Sequence, residues 1–185
     1  MSLAIEIIAV LFSLLSVFFS IKQNVLTWPF GLIGVVAYFI IFYETKLYAE
    51  TTLQVFFVIQ MAYGWFLWNK PKEEIKVRTI MPNFEFLNQI VSISVITFIV
   101  YLLLGEVGGS RHVVLDATSS VLSLFANFFL AKKIIETWFL WMLVNIILTY
   151  VFLIEALYLS AGLYFVFLIL SFLGYISWKK DLKTV

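Results

Sequence analysis

Apolar residues run along this chain in stretches of about seventeen to twenty, separated by short polar breaks. That pattern suits helices crossing the ~30 Å hydrocarbon core of a bilayer, for which roughly 20 apolar residues suffice. Seven segments are predicted, at approximately 4–21, 27–43, 51–68, 88–105, 114–131, 138–156 and 160–178. In lipid no water reaches the backbone N–H and C=O groups, and a helix satisfies them within each segment. This requirement overrides the strand propensity of runs such as VSISVITFIV. The expected fold is an all-α membrane protein with seven transmembrane helices. One long polar connection, NKPKEEIKVRTIMPNFEF at residues 69–86, carries Pro71 and Pro82 and a concentration of charge. It separates three helices from one helix followed by three more.

Aligning the chain with itself at an offset of 110, without gaps, pairs residues 27–70 with 137–180. Identities include Thr27/Thr137, Trp28/Trp138, Phe42/Phe152, Leu47/Leu157, Tyr48/Tyr158, Phe57/Phe167, Gly64/Gly174, Trp68/Trp178 and Lys70/Lys180. Upstream, Ser13, Leu14, Phe18, Phe19 and Lys22 match Ser123, Leu124, Phe128, Phe129 and Lys132 at the same offset. Leu and Phe identities are cheap in so apolar a chain, so the Trp, Tyr, Gly, Thr and Lys matches carry the argument. The organisation expected is a first three-helix repeat at 1–70, a cytoplasmic loop and linking helix at 71–110, and a second three-helix repeat with a short tail at 111–185. Because the linking helix crosses once, the triplets point the same way, as 3+1+3 parallel repeats about an axis along the membrane normal. Such symmetry places a substrate path between the halves and suggests alternating access by rocking one triplet against the other.

Charge sets the expected orientation. Tracing seven spans puts Lys22, Lys70, Lys72, Lys76, Arg78, Lys132, Lys133, Lys179, Lys180 and Lys183 on one side, and Lys46 and Arg111 on the other. The positive-inside rule then places the C-terminus in the cytoplasm and the N-terminus outside. The N-terminal apolar stretch lacks a basic leader and carries Glu6, so it is read as a retained helix. Composition agrees with a lipid-embedded chain: 63% of residues are hydrophobic, 12% charged and 19% aromatic. There is no cysteine and one histidine, His112, which leaves no thiolate or histidine metal site and no thiol nucleophile; no cofactor is expected. A net charge of +1, without basic residues interleaved with aromatics, points to no nucleic-acid partner.

Polar side chains at membrane depth normally face a bundle interior or a water-filled cavity. On the fifth segment Asp116, Ser120, Ser123 and Asn127 share one helical face, and Glu6, Ser13 and Ser20 echo them on the first. On the sixth, Trp138, Trp141, Asn145 and Thr149 share a face, so a flat heterocycle could stack on Trp141 with its polar edge at Asn145. On the third, Gln54 lies with Val58, Met61 and Trp65, while Gln60 and Tyr63 point elsewhere, towards another helix or subunit. The competing structural reading makes Ser, Asn and Gln interhelical glue, Asp116 an interfacial acid, and Trp138, Trp65 and Trp68 members of an aromatic belt.

The words FGL, LYA, LQVFF and YGW, together with TWFLWMLVNI after KKIIET, resemble the PnuC family of vitamin-precursor transporters over nearly the whole chain. The resemblance implies a fold similar to the SWEET sugar carriers, a homotrimer, and facilitated diffusion of an unphosphorylated vitamin precursor that a cytoplasmic kinase then traps. It also implies that Trp138, Trp141, Asn145, Gln54, Tyr63 and Asp116 contact the substrate, with Asn127, Ser123 and Gln60 as further polar candidates. Relatives that take nicotinamide riboside often have asparagine where this chain has Gly34 and Met61, which tilts the expectation towards the thiamine branch, PnuT. Both substrates are cationic heterocycles, so cation–π attraction of about 0.5–2 kcal/mol to tryptophan suits either. The rival classes are a membrane enzyme, for which no catalytic arrangement is visible, and an assembly subunit with no substrate path.

Overall fold

The computed structural model describes residues 3–46, 48–71, 75–81, 83–107 and 111–182. Leu47, Lys72, Pro82 and Lys183, which entered the sequence reading, lie outside the described residues, as does the side chain of Tyr48. Among the described residues the regular elements are all helices: α1 (Leu3–Ile21), α2 (Thr27–Glu44), α3 (Tyr48–Trp68), α4 (Phe84–Val107), α5 (Val113–Ala131), α6 (Thr137–Ile154) and α7 (Tyr158–Leu182). Six of these are long and apolar enough to cross a membrane. The exception is α3, because Glu50, Thr51, Thr52, Gln54 and Gln60 lower its hydropathy. It is two-faced: Thr51 and Gln54 are buried, while Val55, Phe56, Ile59 and Phe66 are exposed. Exposed apolar side chains cover α4 almost entirely, as a lipid-facing helix requires.

Helices α1, α2 and α3 pack in sequence, as do α5, α6 and α7. The two triplets meet where α3 lies on α5 and α1 on α7, and α4 packs against α5.

Local geometry recurs between the triplets at the offset seen in the sequence. The turn after α1 has Gln23 at φ 52°, and the turn after α5 has Lys133 at φ 51°. Lys46 and Ala156, after α2 and α6, stand at φ 60° and 57°. Left-handed backbone is uncommon for residues other than glycine, so two matched pairs are specific. Hydrogen bonds repeat too: Asn24 N–H to Phe19 O and Ile134 N–H to Phe129 O are both 2.9 Å. Thr27 Oγ1 donates to Ser16 O and Thr137 Oγ1 to Ala126 O, each at 2.8 Å, tying the second helix of each triplet to the first. Trp28 packs on Gly64 and Trp138 on Gly174, where a Cβ would come within 2.3 and 2.4 Å of the indole. Only glycine admits a ring that close.

The segment before α4 breaks this symmetry. Arg78 N–H donates to Lys133 O at 3.0 Å and Ile135 N–H to Arg78 O at 2.9 Å, an isolated parallel bridge onto the α5–α6 turn. Val77 and Ile80 are buried there, Ile80 against Phe129 and Ile134. Glu136, just before α6, is 3% exposed and accepts from the N–H groups of Ile80 and Met81, each at 3.1 Å, and from the Thr79 hydroxyl. All three donors converge on Oε1, which offsets the burial of that oxygen, while Oε2 is buried without a partner among the described residues. Arg78 also pairs with Glu85 at 3.0 Å, and this hydrogen bond raises the guanidinium pKa above its already high ordinary range. At the other end of the bundle Glu155 bridges Arg111 (3.3 Å) and His112 (3.1 Å), joining the start of α5 to the α6–α7 turn.

Candidate functional site

Four tryptophans, two from each triplet, fill the lysine-rich end of the bundle. Trp28 meets Trp68 edge-on at 5.2 Å between ring centroids, Trp68 meets Trp178 at 6.3 Å, and Trp178 meets Trp138 edge-on at 5.4 Å. Two indole N–H groups cross between triplets, from Trp68 to Ala131 O at 3.0 Å and from Trp178 to Ser20 O at 3.1 Å. The Nε1 atoms of Trp28 and Trp138 are buried without a partner. Aromatic rings thus pack an inter-triplet seam, with two of the four indole N–H groups donating to helix-end carbonyls. Trp138, a candidate substrate contact, therefore lies in a packed seam at 1% exposure. Trp68 belongs to the same seam and not to an interfacial belt, whereas Trp65, 40% exposed, faces outwards.

Deeper in the bundle the polar candidates separate into two groups. Trp141 is half-buried on α6, one turn beyond Trp138, and Asn145 follows at 3% exposure, about 10 Å from Trp138 by helical rise. Asn145 Nδ2 donates to Ser171 Oγ on α7 at 3.2 Å, and Ser171 Oγ donates to Phe167 O at 2.8 Å. Ser171 was not singled out in the sequence; a lone serine in FLILSFLG gives no signal until the fold sets it beside Asn145. On α5, Ser123 is buried and donates to Ser119 O at 2.7 Å, and Asn127 is buried near the tryptophan seam. Gln54, on α3, is also buried. Neither the Gln54 nor the Asn127 amide makes a hydrogen bond among the described residues, and each keeps a trace of accessible polar surface. Buried amides left that way in a membrane bundle are positions for water or a polar solute.

Gln60 and Tyr63 lie elsewhere. Gln60 Nε2 donates to Leu124 O at 2.9 Å, bracing α3 against α5, and its Oε1 is buried without a partner. An outward-facing cavity of about 300 Å³ lies there, lined by Gln60, Leu124, Phe125 and Phe128. Tyr63, 38% exposed, stacks on Phe128 at 6.4 Å on the same outer seam. The structure thus brings Gln60 and Tyr63 together on the outside of the α3–α5 contact, apart from Asn145. Asp116 is half-buried in the first turn of α5, near the end opposite the tryptophans. Among the described residues no group of three or more His, Cys, Asp or Glu could hold a metal ion.

Two helical triplets packed along an aromatic seam, with six helices long and apolar enough to cross a membrane and amides buried between them, are the frame of a polytopic membrane protein. The sequence matches the family described as "Nicotinamide mononucleotide transporter" over residues 3–180, and the chain belongs to that family. It is similar to the "Nicotinamide riboside transporter PnuC" of Escherichia coli (strain K12), at 25% identity over 97% of this chain and 86% of that protein. The protein of the same description from Neisseria mucosa is 28% identical over 95% of this chain and 72% of its own length. A solved structure, "Crystal structure of the Vitamin B3 transporter PnuC", superposes with a TM-score of 0.77 at 26% identity, covering 96% of this chain and 81% of that one. These likenesses agree with the PnuC resemblance read from the sequence words.

Proposed function

We propose that this protein carries nicotinamide riboside, a cationic pyridinium nucleoside, across the bacterial inner membrane by facilitated diffusion. Rocking of two parallel triplets in a SWEET-like 3+1+3 arrangement would expose the site alternately to the two sides. The observation that carries this reading is the set of amides at Gln54, Asn127 and Asn145, buried in the bundle yet each keeping polar atoms that no described residue pairs. A solute bearing hydroxyls, a carboxamide and a positive ring matches those groups, with Trp141 as the stacking surface. The similar proteins from Escherichia coli and Neisseria mucosa, both nicotinamide riboside transporters, favour this solute over thiamine, towards which the sequence words tilt. Met61, one of the residues that raised thiamine, packs its sulfur on Gly31, where a Cβ would lie 2.8 Å away, and so supports helix packing.

The remaining expectations belong to the same proposal. The lysine-rich end carrying the tryptophan seam is the cytoplasmic end, the N-terminus lies outside, the chain assembles as a homotrimer, and a cytoplasmic kinase traps the imported nucleoside. Reactivity of single cysteines placed at Arg111 and at Lys133 towards a membrane-impermeant maleimide tests the orientation without background, since the chain has no cysteine. Tryptophan fluorescence of detergent-purified protein, titrated in parallel with nicotinamide riboside and thiamine, tests the solute. Saturable quenching by the riboside supports the proposal, and quenching by thiamine alone replaces it with the thiamine reading. An assembly subunit would respond to neither.

A further inference from the structure

Asn145 and Ser171 form a pair that the first triplet lacks. At the offset of 110 their counterparts are Val35 and Met61, so the same helix-on-helix packing is achieved there without a polar contact. The pair is therefore not required by the packing of the triplet. Its geometry has a definite polarity. A serine hydroxyl carries one proton. The proton of Ser171 goes to Phe167 O at 2.8 Å, so its contact with Asn145 at 3.2 Å can only be accepted from the amide NH2. This fixes the side-chain amide in one of its two orientations, which otherwise differ by an interchange of O and N. Oδ1 is then the free end. It has no donor among the described residues and is not a sealed unsatisfied atom, although Asn145 as a whole is 3% exposed.

Resting on the transport reading above, we propose that Ser171 is a positioning residue that holds the Asn145 amide with Oδ1 towards the permeant, so that the protein selects a primary carboxamide over the corresponding carboxylate. A carboxamide N–H donates to Oδ1. A carboxylate has no proton to give and brings its oxygens against another oxygen, while one of the two Asn145 N–H donors that would welcome it is committed to Ser171. Selectivity of this kind comes from a mismatched polar group as much as from the matched one. The first triplet has Val35 and Met61 at these places and no matching pair.

The test is binding of nicotinamide riboside and of its carboxylic acid analogue to purified wild type, Ser171→Ala and Ser171→Thr, followed by tryptophan fluorescence and accompanied by the melting temperature of each protein. Wild type should prefer the amide by ~10-fold or more, the difference that one matched hydrogen bond against a mismatch supports. In Ser171→Ala the Asn145 amide is free to turn over, and the preference should fall ~5–10-fold through weaker amide binding and stronger acid binding. Ser171→Thr retains the hydroxyl and should restore the preference. Equal weakening of both ligands in Ser171→Ala, or an unchanged ratio, would overturn the positioning role and leave the transport reading intact. Acid bound by wild type as well as the amide would do the same. Wild type that binds neither ligand would overturn the transport reading and this inference with it.

Discussion

The two triplets share a backbone but differ in chemistry. The turns, the Thr-to-carbonyl ties of Thr27 and Thr137 and the Trp-on-Gly contacts recur within a few tenths of an ångström. Several polar side chains do not recur. Where the second triplet has Glu136, Asn145 and Ser171, the first has Leu26, Val35 and Met61. Glu136 holds the segment around Ile80 against the α5–α6 turn, whereas Leu26 is exposed at the α1–α2 turn. The scaffold is thus duplicated, while the Asn145–Ser171 pair and the Glu136 contact belong to one half alone. One half holds the α3–α4 connection and the Asn145–Ser171 pair, and the other supplies a plainer wall to move against it.

The largest effect should come from breaking what the halves share. Gly64→Ala and Gly174→Ala each drive a Cβ into a buried indole, and overpacking of this kind costs about 1–3 kcal/mol or more. Both variants should lower the melting temperature in detergent, and by similar amounts. A loss confined to one of them would show that the repeated Trp–Gly contact bears unequal load.

Next in size is the chemistry the halves do not share. Asn145→Ala removes the amide and gives α6 an apolar residue at this place, as Val35 does on α2; riboside binding should weaken at least ~10-fold, measured by fluorescence titration. Val35→Ala, the matched substitution, should change affinity less than ~2-fold. Equal losses from the two would contradict a role particular to Asn145.

The Glu136 contact gives a smaller, stability-based contrast. Glu136→Ala leaves the Ile80 and Met81 N–H groups and the Thr79 hydroxyl without their acceptor, at a cost of roughly 1–3 kcal/mol. Cleavage of the α3–α4 connection by added protease should become faster, while Leu26→Ala should leave it unchanged. Smallest of all, Thr27→Val and Thr137→Val should each cost about 1 kcal/mol, read as equal shifts in melting temperature.

Much of this architecture could be read from the order of apolar and polar residues. Span length in a bilayer is fixed by hydrocarbon thickness, so the seven predicted segments fall within a few residues of α1 to α7. The starts at Tyr48 and Phe84 came earlier than expected, because polar or aromatic first turns continue a helix past its apolar part. The offset of 110 was visible because Trp and Gly are rare enough for their matches to count. What the sequence did not disclose depends on contacts between distant residues. Trp68 looked like a belt residue until its indole N–H was seen to reach Ala131, and Trp178 bonds to Ser20 across the opposite seam. Glu136 reads as an ordinary loop acid beside KKII, and only docking of Thr79 to Met81 gives it a role. Gln60 and Tyr63 share a helix with Gln54, yet helical phase turns them to the outer α3–α5 seam.

The central claim is that a polar, cationic nucleoside crosses through the interior of this bundle, past the Asn145 amide of the second triplet. Its most direct test is uptake of labelled nicotinamide riboside into liposomes containing purified wild type or Asn145→Ala protein, each shown to be folded by its melting temperature. The account predicts saturable uptake by wild type, independent of ion gradients, and uptake near the protein-free background for Asn145→Ala. Absence of saturable uptake by folded wild type, or equal uptake by the variant, would contradict it.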